Sequence, residues 1–221
     1  MAYEFTLYSY WRSSSSWRVR LMLAAKGITY ETIPVHLVRD GGEQHLPDFA
    51  DYNPMRQLPY LLVKEDGDVV HGAAQSIAIM ELLEELVPEP ALFPADPFGR
   101  ARTRQLAELV NSGIQPLQNL AVIQHLRDNL NVDARAFCRH WIDRGLHAYQ
   151  ESLPEDDSTF SIGDTPTIAD FCLVPQLYNA RRFKLDMSQF PRLLAIEEAV
   201  EALDYAAAAH PDSQPDFDPD A

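Results

Sequence analysis

The chain is poor in the residues that build disulfides and metal sites. Only two of its 221 residues are cysteine. Both, Cys138 and Cys172, lie in apolar, helix-like windows, so buried thiols are expected rather than a disulfide. No Cys-x-x-Cys occurs, and the seven histidines fall into neither HxxxH nor HExxH spacing, so no metal site is expected. No run of 18 or more apolar residues is present, which leaves no candidate membrane span. The first residues lack the basic and apolar regions of a secretory leader, so a cytoplasmic location is expected. Basic residues are also scarce: 18 Lys+Arg stand against 33 Asp+Glu, a net charge of −15. That balance argues against nucleic acid and anionic membrane surfaces as partners, while leaving room for a locally basic anion site.

Hydroxyl is what the chain has in concentration. Four consecutive serines, Ser13 to Ser16, follow an alternating apolar run, Tyr3 to Tyr10, and precede a helix-like run, Trp17 to Gly27. Two readings stand. The serines cap a helix and fill a small-residue turn. Alternatively, hydroxyl donors and the positive end of a helix receive a negative charge.

The remaining pattern describes two domains. Residues 1–87 alternate strand and helix signals: strand Tyr3 to Tyr8, helix from the serines to Gly27 as a C′ glycine, strand Tyr30 to Leu37, and a loop through Gly41-Gly42. Asn53-Pro54 marks a turn, and Leu58-Pro59 precedes the apolar run Tyr60 to Val63. Asp66-Gly67 reads as a tight hairpin turn. A helix from about Ala74 carries Ile79, Leu82, Leu83 and Leu86 on one face. Residues 88–97, rich in proline, read as a linker. Residues 98–209 read as all-helical, with helices over Arg100 to Ser112, Ile114 to Asn129, Asp133 to Leu153, Thr167 to Arg182 and Pro191 to Ala209. The acidic tail 210–221 is expected to be disordered or to lie loosely on the surface. The Leu58-Pro59 bond is open to two readings: a trans proline starting a strand, or a cis bond leaving the Leu58 backbone to pair with an extended peptide-like ligand.

Four segments resemble the zeta class of glutathione transferases, the maleylacetoacetate isomerases. Ser13-Ser14-Ser15-Ser16-Trp17-Arg18-Val19-Arg20 is similar to the SSCSWRVR signature of that class. Asn53-Pro54-Met55-Arg56-Gln57-Leu58-Pro59 resembles the loop before its third strand. Gln75-Ser76-Ile77-Ala78-Ile79 resembles the pair that holds the γ-glutamyl end of glutathione, and Gly113 to Leu120 resembles a further class segment. Gly163 to Asp170 is common to glutathione transferases and reads as a capping box, with Thr167 as cap and Asp170 returning the bond. The resemblance implies a thioredoxin-like α/β N-terminal domain with a mixed four-stranded sheet, an all-α C-terminal domain, and a homodimer. Apolar residues near Arg100 to Val110 would help form its interface.

The same resemblance implies glutathione as cofactor and a small dicarboxylate as substrate. Maleylacetoacetate would be converted to fumarylacetoacetate in tyrosine breakdown, by reversible addition of the glutathione thiolate. A thiol of pKa about 8.5 is only about 3% ionised at pH 7. Lowering it by two units takes about 2.7 kcal/mol. One or two hydroxyl donors at about 1.5–3 kcal/mol each, with a helix N-terminus, supply that. Ser13 is the first choice as donor, with Ser14 and Ser15 as supports. Gln44, Leu58 (through its backbone), Gln75, Ser76, Gln115 and Asn119 are the other expected glutathione contacts. Arg182 and Arg12 are candidates for the substrate carboxylates, against the alternative of solvated or ion-paired arginines. Arg18 and Arg20, in an otherwise apolar helix, are open to a role at a domain or subunit interface or toward a ligand.

Two departures stand out. The class cysteine falls at Ser15, which leaves hydrogen bonding and removes thiol chemistry there. Gly72-Ala73-Ala74 reads as an insertion that shifts the following helix. Competing readings are maleylpyruvate isomerase, a conjugating transferase acting on α-haloacids, and a non-catalytic binding protein on the same fold.

Overall fold

The computed structural model describes residues Tyr3 to Pro219. The chain divides into two compact units. One joins the segment up to Ala91 with the segment from Asp204 onward; the other is Leu92–Leu203.

In the first unit the described strands, β1 (Tyr3–Ser9), β2 (Glu31–Pro34), β3 (Tyr60–Glu65) and β4 (Asp68–Ala74), form one mixed sheet ordered β2-β1-β3-β4. The central strand β1 (Tyr3–Ser9) feeds α1 (Ser14–Ala25). Trp17, Val19, Leu21, Met22 and Leu23 bury α1 on most sides. The helix closes as its sequence predicts. Gly27 adopts φ 63°, its amide donates to Ala24 O at 3.0 Å, and Ile28 N donates to Leu23 O at 2.9 Å, a Schellman pair. The strand β2 (Glu31–Pro34) runs parallel to β1. A single turn, α2 (Pro47–Ala50), leads toward β3 (Tyr60–Glu65), which pairs antiparallel with β1. Asp66 and Gly67 both have positive φ (51° and 89°), the geometry of a two-residue hairpin turn into β4 (Asp68–Ala74).

Gly72, Ala73 and Ala74 lie within the sheet ladder. They pair with Leu62, Leu61 and Tyr60, and α3 (Ser76–Leu86) starts two residues after Ala74. Glycine is needed at 72 because a Cβ there would stand 2.0 Å from Tyr60 Oη. Behind α3 the Lys26 ammonium is buried. It pairs with Glu84 Oε2 (2.8 Å) and donates to Val87 O (2.6 Å) and Pro90 O (3.0 Å), tying down the proline-rich stretch.

The second unit is helical: α4 (Pro97–Asn111), α5 (Leu120–Leu130), α6 (Ala134–Glu151), α7 (Ile168–Arg182) and α8 (Pro191–Glu201). The helix α7 is buried along most of its length. Thr167 and Asp170 form the expected capping box at its start. Leu106, Ala107 and Val110 of α4 are fully buried within the chain itself. They are core residues and offer no surface to a partner, while Ala101 and Leu109 of the same stretch keep some exposure.

The expected helix Pro191 to Ala209 is broken. Between α8 and α9 (Ala206–Ala209) the backbone turns, and α9 packs on α1 in the first unit. The tail beyond it is not loose. Pro211 and Gln214 are buried, and Gln214 Nε2 donates to Ala208 O (3.0 Å) and His210 O (2.9 Å). Contacts to the start of the chain, His210 on the Trp17 ring and Asp216 on the Trp11 amide, hold a segment whose composition alone reads as disordered. The last two residues of the expected tail 210–221, Asp220 and Ala221, lie outside the described residues.

Candidate functional site

The serine run sits at the mouth of α1. Ser13 is the N-cap: its Oγ accepts from Ser16 N (3.2 Å), and its amide closes a turn onto Tyr10 O (3.0 Å). Because Oγ serves the helix as an acceptor, the hydroxyl proton remains available for donation. Ser14 and Ser15 are the first two helical residues, half-buried like Ser13. No acidic residue occupies the first turn of α1, so nothing there opposes an incoming anion. Ser16 is fully buried, its Oγ without a partner.

Both arginines of α1 lie inside the first unit. Arg20 is fully buried and grips four oxygens: Ala209 O (3.0 Å), Ser9 Oγ (3.1 Å), Tyr10 O (3.4 Å) and Trp11 O (2.9 Å). Burial pushes its guanidinium down to about 10, so it stays charged at neutral pH. Arg18, equally buried, donates to Ser76 Oγ (3.2 Å). These contacts give the pair partners within the first unit, where the sequence left open an interface or a ligand. Helical periodicity could not separate an interface arginine from one whose partners come from the end of β1 and from α9.

Three further segments converge on this turn. Tyr10, Trp11, Val35, Phe49 and Leu58 form one buried cluster, with Leu37 and Tyr60 packed against it. The cluster places the Leu58 loop beside the serine turn. The Leu58-Pro59 bond is cis. Among the described residues neither the amide nor the carbonyl of Leu58 takes a backbone partner outside the strands. Gln44 is buried; its amide nitrogen donates to Leu37 O (3.3 Å), while its Oε1 is buried with no partner. Gln75 caps α3 at φ 72° and is exposed, and Ser76 opens the helix, linked to α1 through Arg18. Arg12 is half-buried, its guanidinium 5.2 Å from the Trp11 ring centroid.

The second unit holds the other predicted residues. Gln115 begins a 3-10 turn over Gln115–Gln118, and Asn119 caps α5, its Oδ1 accepting from Ala121 N (3.0 Å). Arg182 is exposed at the end of α7 and donates to Asn179 Oδ1 (2.9 Å). Asn179 Nδ2 donates in turn to Gln118 Oε1 (2.7 Å), and Gln118 also bonds Gln176. This buried amide network escaped sequence reading, although Gln176 and Asn179 interrupt an otherwise apolar helix. It joins Arg182 to the Gln115–Asn119 segment. The neighbouring Arg181 is engaged elsewhere, by Glu197 (2.6 Å). Cys138 and Cys172 are buried free thiols, and burial pushes Cys138 up to about 11. Among the described residues no helix is long and apolar enough to cross a membrane, and no cluster of potential metal ligands occurs.

A mixed sheet with a hydroxyl-capped first helix, followed by a helical unit, is the arrangement of a glutathione transferase. The chain belongs to the glutathione S-transferase family: the N-terminal domain model matches residues 3–85 and the C-terminal domain model residues 138–204. It is 43% identical over 214 residues to the probable maleylacetoacetate isomerase 2 of Drosophila melanogaster, covering 97% of this chain and 91% of that one. A crystal structure of maleylacetoacetate isomerase from Anaeromyxobacter dehalogenans, with glutathione bound in its active site, superposes at a TM-score of 0.89. That match has 51% identity and covers 98% of this chain and 99% of the other. A bacterial maleylpyruvate isomerase, a zeta-class glutathione transferase, also reaches a TM-score of 0.89. Its identity is 39%, over 96% of this chain and 100% of the other.

Proposed function

We propose that the chain is a zeta-class, glutathione-dependent cis–trans isomerase that converts maleylacetoacetate to fumarylacetoacetate. The observation that carries this reading is the open start of α1, where Ser13 caps the helix through its oxygen and keeps its proton to give. The residues present fit a peptide thiol. The buried, unpartnered Gln44 Oε1 wants a donor, and the Leu58 backbone offers a strand-like pair to a peptide. Glutathione, when bound, supplies a thiolate able to add reversibly to a conjugated double bond.

The chain's own part is to hold and orient. Ser13 donates to the sulfur, and Ser14 and Ser15 support it with the dipole of α1. Gln75 and Ser76 receive the γ-glutamyl end. Gln115 and Asn119 are further proposed glutathione contacts. Arg182, steadied by Asn179, anchors a substrate carboxylate, and Arg12 is a second cation for it. A homodimer and a cytoplasmic location accompany the reading; sizing of the purified protein tests the former.

Maleylpyruvate isomerase is the second reading. It is favoured by the likeness to a maleylpyruvate isomerase over nearly the whole chain. Both are tested by offering the purified protein each substrate with and without glutathione. Faster glutathione-dependent turnover of maleylacetoacetate is expected, faster turnover of maleylpyruvate selects the alternative, and no isomerisation of either overturns both.

A further inference from the structure

The turn that carries Ser13 is held by the far end of the chain. Asp216 Oδ2 accepts from the Trp11 amide at 2.9 Å, and Phe217 stands edge-on to the Trp11 ring, centroids 5.0 Å apart. Arg20 holds the carbonyls of the same two turn residues, Tyr10 (3.4 Å) and Trp11 (2.9 Å), while Ser13 N closes onto Tyr10 O. The turn therefore has an amide on a carboxylate and two carbonyls on a buried guanidinium. Arg20 also reaches Ala209 O, so turn and C-terminal segment share one buried cation. The charge of Asp216 supports that of Arg20. A carboxylate balanced in this way stands near the serine turn without presenting an uncompensated negative charge to an anion.

We propose that Asp216 is a positioning residue for the thiolate site: by holding the Trp11 amide, it sets the turn from which the Ser13 hydroxyl projects. The inference rests on the reading of Ser13 as donor to the glutathione sulfur. A hydroxyl that must meet a sulfur depends on placement, and small misplacements of a catalytic group are costly. Asp216 is only half-buried, so its replacement opens no core.

The test compares the full-length Asp216→Ala, Asp216→Asn and Asp212→Ala variants with the unaltered chain. Hydrogen–deuterium exchange of the Trp11 peptide is read without glutathione. The pH midpoint of thiolate ultraviolet absorbance is read with glutathione bound, together with kcat, KM and thermal unfolding. In Asp216→Ala, Trp11 exchange rises. The thiolate midpoint rises by about one unit, a roughly tenfold loss of thiolate at fixed pH below the midpoint, and kcat falls in step. Unfolding temperature and glutathione KM change little. Asp216→Asn keeps an acceptor oxygen and recovers most of both. Asp212→Ala removes an exposed carboxylate from the same segment and matches the unaltered chain. An unshifted thiolate midpoint in Asp216→Ala overturns the proposal, as does an equal shift in Asp212→Ala. Should Asp216→Ala fail to fold, Asp216→Asn decides: a normal midpoint with Trp11 protected supports the proposal, and a raised midpoint with Trp11 protected overturns it. If the unaltered protein does not isomerise, the functional reading fails, and exchange at Trp11 still tests the clamp.

Discussion

Two helices of this protein begin with a hydroxyl cap, and they differ in what is left over. At α7, Thr167 and Asp170 close the start completely. Asp170 accepts from Thr167 N (2.7 Å), Thr167 Oγ1 (3.0 Å) and Ser161 N (2.8 Å) and is fully buried. At α1, a lone serine oxygen caps the first turn, no acid is present, and three half-buried serines stand at the opening. The same cap chemistry serves folding where a carboxylate consumes the donors; where it is withheld, at α1, we propose that it serves ligand capture.

The largest expected effect breaks the closed start. Asp170→Ala leaves two backbone amides and a hydroxyl buried without their acceptor, at about 1–3 kcal/mol each before relaxation. A net loss of about 3–4 kcal/mol of stability is expected, measured by denaturant unfolding, with kcat of the remaining folded protein unchanged. An equal loss from Asp170→Ala and Ser13→Ala would erase the distinction between the two starts.

Breaking the open start should do the reverse. Ser13→Ala removes the proposed donor to a charged sulfur, worth about 1.5–3 kcal/mol, so turnover should fall about 10- to 150-fold. Losing the cap costs about 1 kcal/mol of stability. Glutathione affinity, measured by calorimetry, should fall less than kcat. Full activity in this variant would move the donor to Ser14 or Ser15.

How far each start was legible follows from the range of its partners. Thr167 and Asp170 are three residues apart, so the closed box was readable, as were the Asp66-Gly67 hairpin and the Gly27 cap. The serine run was visible as a hydroxyl cluster between strand and helix, but not what holds its turn. Trp11 and Asp216 are 205 positions apart, and Arg20 and Ala209 are 189 apart. Local propensity carries no signal over such distances. For the same reason an acidic, proline-containing tail read as loose, two buried arginines stayed open between an interface and a ligand, and α9 read as a continuation of α8. The reason for glycine at 72 was not legible either, because the Tyr60 side chain lying across it sits on the neighbouring strand.

A smaller effect is expected at the other end of α7, whose locked start leaves its final turn to present Arg182. Arg182→Ala should raise KM for the dicarboxylate substrate about tenfold with kcat less affected, the loss of one partly solvated charge-assisted contact of about 1.4 kcal/mol. Asn179→Ala should give a weaker change of the same kind, since it removes the side chain that steadies Arg182 rather than the charge. Steady-state kinetics on both variants separates charge from placement.

The smallest effect on turnover, and the sharpest test of what the open start does to whatever stands in it, comes from Ser15→Cys. Ser15 is the second residue of α1, half-buried and close to the positive end of the helix. A thiol there is expected to titrate below the ordinary value of about 8.5, because a helix N-terminus favours the thiolate. Isomerase turnover should stay within about threefold, a change below 1 kcal/mol, since Ser13 keeps its proton and its place. The introduced cysteine should nonetheless be alkylated by iodoacetamide at neutral pH, while the buried Cys138, pushed up to about 11, stays unmodified in the same sample. Mass spectrometry of the labelled peptides distinguishes the sites. A slow, high-pKa cysteine at position 15 would mean that the α1 terminus does not favour anions, and the thiolate would then depend on the Ser13 hydroxyl alone.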